Sequence, residues 1–299
     1  MMRETNVRAW LRERAALPIY FEKLSGNHGD TLIQLGARHV FSKLNLTLVD
    51  DPERAQLIFV NGGGAMNEIW GHGLRMVSEL RARHPQTPLC IGPSTFDFET
   101  FDFRTLIGQG RAPMTVFCRE RTSAALLMPF ASRGELDLHL DHDLAFQLRD
   151  SSFLEGARAR RAEEHLLVAM RTDLEGRGAT IGRLRAPFLP RALRRRLADL
   201  RDRFVARGAS SIIDGELARL EVAEPGRVIT NDISRTGSFE DFVELVARAT
   251  AVVTDRLHVA ILSALLEKRC SLSAGRYHKN RSVYEMSLAD GASSVVWAE

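Results

Sequence analysis

Residues 254–258 (Thr-Asp-Arg-Leu-His) place an arginine and a histidine directly after the apolar run 251–253. This pattern predicts a buried parallel strand that turns at once into a helix. The first N–H groups of such a helix have no partner within it and its dipole is positive there, so anions bind at this end. Arg256 would add a forked cation, and His258 a group that exchanges a proton near neutral pH. The segment therefore predicts an anion site with acid–base chemistry. A helix start whose Arg256 and His258 only face water explains the same residues and stays open.

Polar and glycine-rich segments also follow two predicted strands near the N-terminus. Asn27 and Asp30 lie in a turn after strand 19–21, and Gly63 and Gly64 follow strand 57–60. Ligands of parallel α/β sheets bind outside the carboxyl ends of the strands, where glycines let the backbone approach closely. The glycines match neither a dinucleotide fingerprint nor a P-loop. A tight turn explains the glycines equally well. Capping of the following helix likewise explains Asn27 and Asp30.

Two more cations are predicted at strand ends of the same half as Arg256. Arg171 closes strand 165–170, and Lys279 lies in the tract 277–281 after the last predicted strand. Convergence of Arg171, Arg256 and Lys279 would suit a ligand that carries both a carboxylate and a phosphate. Scattered surface cations are the alternative, because the chain has 41 Lys and Arg residues.

The elements that must position these residues alternate between strands and helices. The predicted strands are 19–21, 46–49, 57–60, 89–91, 114–118, 136–140, 165–170, 210–213, 227–230, 252–253 and 269–272. The predicted helices are a charged opening helix before strand 19–21, then 31–44, one after the glycines to about 83, 122–128, 189–207, 239–249 and 257–267. Such alternation predicts parallel sheets, and the charged stretch 150–164 predicts a connection between domains. We therefore expect an α/β protein with two Rossmann-like, doubly wound domains, residues 1–150 and 151–299, that face each other across a cleft.

Composition narrows the class of protein. With 299 residues, a formal charge of +3 and 44% hydrophobic residues, the chain is typical of a globular protein that does not bind nucleic acid. Cys90, Cys118 and Cys270 lack the spacing of a disulfide framework or zinc site and are expected to be buried. Without a signal sequence or membrane span, we expect a cytoplasmic protein.

A basic stretch, residues 183–207, carries many arginines, and its Leu193, Leu197, Leu200 and Phe204 share one helical face. Such a helix would allow peripheral contact with the anionic inner face of a membrane. An ordinary helix with one solvated face is the other interpretation.

The succession of these motifs resembles the polysaccharide pyruvyl transferases, in particular the members that act in exopolysaccharide biosynthesis. The resemblance rests on segments 26–30, 61–64, 118–123 (Cys-Arg-Glu-Arg-Thr-Ser), the acidic 141–143 and above all 254–258, with the later Lys279. It covers nearly the whole chain. The sequence departs from many relatives at 267–270, where Glu-Lys-Arg-Cys replaces a glycine-lysine-proline, and its second domain is short.

The resemblance implies a GT-B-like fold and transfer of pyruvate from phosphoenolpyruvate to a sugar as a ketal, without a metal or other cofactor. The donor would bind Arg171, Arg256 and Lys279. His258 would be the general acid, oriented by Asp255. The acceptor, polymeric or lipid-linked, would face the cleft residues Asn27, Asp30, Gly63 and Gly64. A GT-B glycosyltransferase that uses nucleotide sugars, and a non-catalytic partner in polysaccharide assembly, remain the alternatives.

Overall fold

The strands of the described residues form two separate, fully parallel sheets. The computed structural model describes residues 6–160, 165–171, 218–220, 226–289 and 294–298. The chain divides into two units, a first unit of residues 1–159 with 281–290 and a second unit of residues 160–280 with 291–299. The α/β class and the presence of two parallel sheets are as predicted.

The sheet of the first unit has the order β2-β1-β3-β5-β6-β7, with β4 beside the far end of β5. Its strands are β1 Ile19–Glu22, β2 Leu48–Val49, β3 Leu57–Val60, β4 Gly63–Asn67, β5 Leu89–Asp97, β6 Met114–Cys118 and β7 Asp137–Leu140. Its helices are α1 Asn6–Arg12, α2 His28–Lys43, α3 His72–Arg83, α4 Phe103–Gly108, α5 Arg121–Ala131 and α6 Ser152–Arg158.

Strand β3 shows why this sheet is covered on both faces. Its four residues are buried, as expected for a continuous apolar run in a parallel sheet. Ile58 and Val60 pack in one core cluster, and Leu57 and Phe59 in another, because side chains alternate between the faces of a strand. Complete burial of each such side chain contributes roughly 1.5–3 kcal/mol.

The sheet of the second unit has the order β12-β11-β10-β8-β9. Its strands are β8 His165–Ala169, β9 Arg227–Thr230, β10 Ala251–Thr254, β11 Arg269–Leu272 and β12 Val295–Trp297. The described helices are α7 Phe239–Arg248, α8 Leu257–Leu265 and α9 Lys279–Ser287. Helix α7 begins with a capping box between Ser238 and Asp241, and its Phe242 and Val246 are buried.

Each sheet contains a neighbouring pair of strands whose chains continue toward opposite sides. In the first sheet these are β1, which leads to β2, and β3, which leads toward β5. In the second they are β8, followed among the described strands by β9, and β10, which leads to β11. Loops diverge at such a switch point and open a crevice at the carboxyl ends of the strands, where ligands bind in doubly wound sheets.

The structure differs from the sequence prediction in several elements. Residues Gly63–Asn67 form β4, and the next helix begins only at His72. The main chain of β4 pairs with the extended end of β5, so tertiary pairing overrides a glycine-rich sequence with weak strand propensity. Strand β5 is longer than predicted, and α4, α6, α9 and β12 were not predicted.

The described chain divides into units at residues 159–160, within the stretch 150–164 that was predicted to connect the two domains. Helix α6 lies inside the predicted connection, yet it belongs to the first unit and buries Leu154 and Ala157. The segment 281–290 belongs to the first unit as well. Hydroxyl groups of α9 explain this, because Ser282 bonds the Thr122 hydroxyl and Ser287 bonds Nδ1 of His142, each at 2.9 Å.

None of the helices in the described ranges is long and apolar enough to cross a membrane. The basic stretch 183–207 and the predicted strand 210–213 lie outside the described residues. Peripheral membrane contact therefore stays a prediction.

Candidate functional site

The hydroxyl of Thr254 joins the two strands at the switch point of the second sheet. Thr254 ends β10, and its hydroxyl donates to the carbonyl of Ala169 at the end of β8 at 2.6 Å. The same oxygen accepts the backbone N–H of Arg256 at 2.9 Å. The chain then enters α8 at Leu257, so half-buried His258 is the second residue of the helix. The predicted strand-to-helix turn is confirmed, with its arginine and histidine at the helix start.

A hydrogen bond accepted by Asp255 links the chain after β8 to the loop before α8. Its Oδ1 accepts the backbone N–H of Arg171 at 2.7 Å, and the residue is 3% exposed. Burial raises the pKa of Asp255 from 3.8 to about 6, against the lowering effects of the Arg171 hydrogen bond and of the Arg171 and Arg256 charges. The Asp255 carboxyl therefore exchanges its proton close to physiological pH.

Replacement of Asp255 by asparagine should change how stability depends on pH. Between about pH 4 and 6 the folded state keeps a proton that the unfolded chain has released, so this carboxyl destabilises the fold increasingly as pH rises. The cost reaches about 3 kcal/mol for a pKa shift of about two units. The amide of the Asp255→Asn variant carries no such cost and retains an acceptor for the Arg171 N–H. The measurement is the free energy of urea unfolding of the wild type minus that of Asp255→Asn. We expect this difference to fall as pH rises from about 4 to 6, and to stay constant above pH 7. A difference that rises with pH would contradict the raised pKa.

Arg256 is held in a buried ion pair. Its Nη2 pairs with Oδ2 of Asp232, and the side chains are 3% and 5% exposed. Asp232 follows β9, so the pair joins the ends of β9 and β10. A buried charge needs a partner, and Asp232 offsets part of the positive charge of Arg256. Asp232 was not among the residues predicted for the site, although an aspartate two residues beyond a strand at this edge of the sheet was a usable signal.

Lys279 begins α9 and is 7% exposed. Its Nζ lies 5.1 Å from the centre of the Tyr277 ring. The next residue, Asn280, donates from Nδ2 to the carbonyl of Asp255 at 2.7 Å and to that of Ser273 at 3.0 Å. Lys279 is therefore adjacent to a residue that contacts the loop before His258. Asn280 is the second contributor that sequence analysis missed.

In the first unit, the predicted polar and glycine segments meet at the β1–β3 switch point. Asn27 caps α2: its side chain accepts the N–H of Gly29 at 2.8 Å, and its own N–H donates to Asp30 at 2.7 Å. Gly63 has a φ of 139°, and a Cβ added there would lie 3.7 Å from Oδ1 of Asp30. Gly64 accepts from Nδ2 of Asn67 at 2.6 Å. Asn27 and Asp30 thus have a capping role, and Gly63 adjoins them.

The segment 118–123 has a structural role in the first unit. Arg119 donates from Nη1 to Asp143 at 2.6 Å and from Nε to the Thr95 hydroxyl at 2.8 Å, and all three residues are buried. Glu120 caps α5 by accepting the N–H of Ser123. The three cysteines are free and buried, as predicted.

These features define a class, an α/β protein with two parallel sheets flanked by helices and with polar segments at the switch point of each sheet. A model of the polysaccharide pyruvyl transferase family matches residues 27–271, so the chain belongs to this family and is a transferase. Membership implies a polysaccharide acceptor.

A solved structure with the same fold comes from an uncharacterised protein of Klebsiella pneumoniae. It is 19% identical, both chains are covered completely, and the TM-score is 0.69. At this identity the likeness concerns the fold alone. A search of curated proteins found no match.

Proposed function

We propose that this transferase moves pyruvate from phosphoenolpyruvate to a sugar of an exopolysaccharide or lipid-linked saccharide and forms a pyruvate ketal. One observation carries the proposal: in a chain of this family, the described contacts bring Arg171, Asp255 and the loop of His258 together at one switch point. Asn280 adds the start of α9, and with it Lys279.

The second unit supplies what a donor with a carboxylate and a phosphate requires. Arg256, the residue before α8, provides no side-chain cap, so the first turn of α8 is suited to an anionic oxygen. We propose that Arg171 and Lys279 neutralise the phosphate and the carboxylate. Asp232 offsets part of the Arg256 charge, so we assign Arg256 one of several donor contacts. Preorganised charge of this kind stabilises the transition state because it needs no reorganisation during the reaction.

The reaction needs a general acid beside the phosphoenolpyruvate site, and we assign that role to His258. His258 protonates the methylene carbon of phosphoenolpyruvate, which becomes the methyl group, and C2 acquires oxocarbenium character. A sugar hydroxyl adds to C2, and the imidazole accepts its proton. The C2–O bond to phosphate then breaks, a second hydroxyl closes the ketal, and its proton leaves with phosphate. Phosphoenolpyruvate and a diol thereby yield a ketal and one phosphate.

We assign the acceptor to the first unit, at Asn27, Asp30, Gly63 and Gly64. The meeting of these residues at the β1–β3 switch point supports the assignment, since ligands of doubly wound sheets bind there. The capping contacts of Asn27 and Asp30 explain these two side chains without a ligand, so the glycines carry more of the argument. The GT-B-like arrangement with a cleft stays a prediction of the sequence.

A nucleotide-sugar glycosyltransferase of similar architecture is the alternative that a binding experiment separates best. We expect phosphoenolpyruvate to raise the unfolding temperature of the protein in a concentration-dependent manner, and a panel of nucleotide sugars to leave it unchanged. Stabilisation by a nucleotide sugar and none by phosphoenolpyruvate would favour the glycosyltransferase. Stabilisation by neither would favour the non-catalytic partner.

A further inference from the structure

We propose that Asn280 is a positioning residue, which holds Lys279 in register with the loop of Asp255 and His258 so that both engage one donor molecule. The inference rests on the proposed function and goes beyond it, because Asn280 itself need not touch the donor.

The amide of Asn280 joins two strand ends. Its Nδ2 group donates one N–H to Asp255, after β10, and the other to Ser273, after β11. Asn280 is 1% exposed; its hydrogen bond to Asp255 is buried, and its bond to the half-buried Ser273 is partly buried. The opposite orientation of the amide would set its oxygen against two carbonyl oxygens, so the contacts settle which atom is the nitrogen. A buried hydrogen bond of this type is expensive to lose, since an unsatisfied carbonyl remains.

The position of Asn280 in the chain explains why Lys279 depends on it. Residues 273–278 form no helix or strand, and α9 begins at Lys279 itself. From Arg281 onward the helix belongs to the first unit. Asn280 therefore fixes the residue next to Lys279 to the loops that follow β10 and β11, all within the second unit.

The side chain of Asn280 has a chemistry that aspartate cannot replace at neutral pH. An aspartate at this place would present oxygens to two carbonyls, which repels them, and only its protonated form could donate one hydrogen bond. Loss of a hydrogen bond between a ligand and a charged side chain weakens binding by about 10- to 100-fold. The expected consequence of losing the clamp is weaker donor binding, with a smaller effect on turnover at saturating donor.

The experiment compares Asn280→Asp and Asn280→Ser in the full chain, alone and combined with Lys279→Ala. By calorimetry we expect Asn280→Asp to weaken phosphoenolpyruvate binding by about 10- to 100-fold at pH 7.5. In the Lys279→Ala background, Asn280→Asp should weaken phosphoenolpyruvate binding by less than about threefold further, because the effects of residues that act through one another are not additive. The weakening relative to wild type should shrink toward pH 5 for Asn280→Asp and stay constant for Asn280→Ser, whose hydroxyl donates at every pH.

Asn67→Asp is the matched control, because Asn67 is a buried amide that also donates to a backbone carbonyl, in the first unit. It should lower the unfolding temperature without changing the affinity for phosphoenolpyruvate. Two results would overturn the positioning role. One is wild-type affinity for phosphoenolpyruvate in the folded Asn280→Asp and Asn280→Ser variants. The other is an equal loss of affinity from the Asn280 substitution whether or not Lys279 is present. If Lys279→Ala binds phosphoenolpyruvate as wild type does, the proposed donor site is at fault instead.

Discussion

Replacement of His258 by alanine is expected to lower turnover roughly a hundredfold or more with both substrates saturating, the usual contribution of a positioned general acid. The half-buried side chain lies in the first turn of α8, where its loss removes little packing. The unfolding temperature should therefore stay near that of the wild type. The measurement is phosphate release under saturating conditions, together with thermal unfolding.

His139 supplies the control for this variant. It stacks on Phe117 in the first unit and pairs with Asp137. His139→Ala should turn over at the wild-type rate. Turnover of His258→Ala within a few-fold of wild type would remove His258 from the mechanism, whatever the fate of the donor site.

Arg119→Met is expected to destabilise the first unit by about 3–5 kcal/mol, because it leaves the carboxylate of Asp143 buried without its cation. The two side chains are completely buried and 2.6 Å apart. The Thr95 hydroxyl would also lose its guanidinium partner. Urea unfolding monitored in the first unit would measure the loss.

The double variant Arg119→Met with Asp143→Asn separates a lost ion pair from an unpaired charge. Since a neutral amide replaces the stranded carboxylate, the double variant should recover a substantial part of the lost stability. It should not recover all of it, because Asp143 also accepts the N–H of Ala145. A double variant less stable than Arg119→Met would show that the unpaired charge is not the main cost.

Those parts of the fold that rest on local apolar runs could be predicted from the sequence. Strands β3, β6, β8 and β10 are largely apolar runs of this kind, and their burial makes the pattern reliable. Strand β4 could not be predicted, because its glycines take their extended form from pairing with β5. Strand β12 pairs with β11 across more than twenty residues of sequence, and its apolar run of three residues is shorter than the runs from which strands are predicted.

The candidate site divides along the same line. Residues 254–258 could be identified because they follow an apolar run. The structure confirms the predicted turn from strand to helix at these residues. Asn280 could not be identified, because it acts through a contact with Asp255, 25 residues away in the chain. The place of Asp232 after a predicted strand was a usable signal, but its pairing with Arg256, 24 residues away, is visible only in the fold. The roles of Asp255, His258 and the three cations in catalysis stay predictions.

The identity of the reaction is tested most directly by incubating the protein with phosphoenolpyruvate and candidate saccharide acceptors, and following phosphate release together with the mass of the product. We expect one phosphate to be released for each acceptor modified, and the acceptor to become heavier by one pyruvic acid less one water, the mass of a ketal. With His258→Ala both signals should disappear together. Release of phosphate without a change in acceptor mass, or transfer of a sugar residue in place of pyruvate, would contradict the proposed pyruvyl transfer.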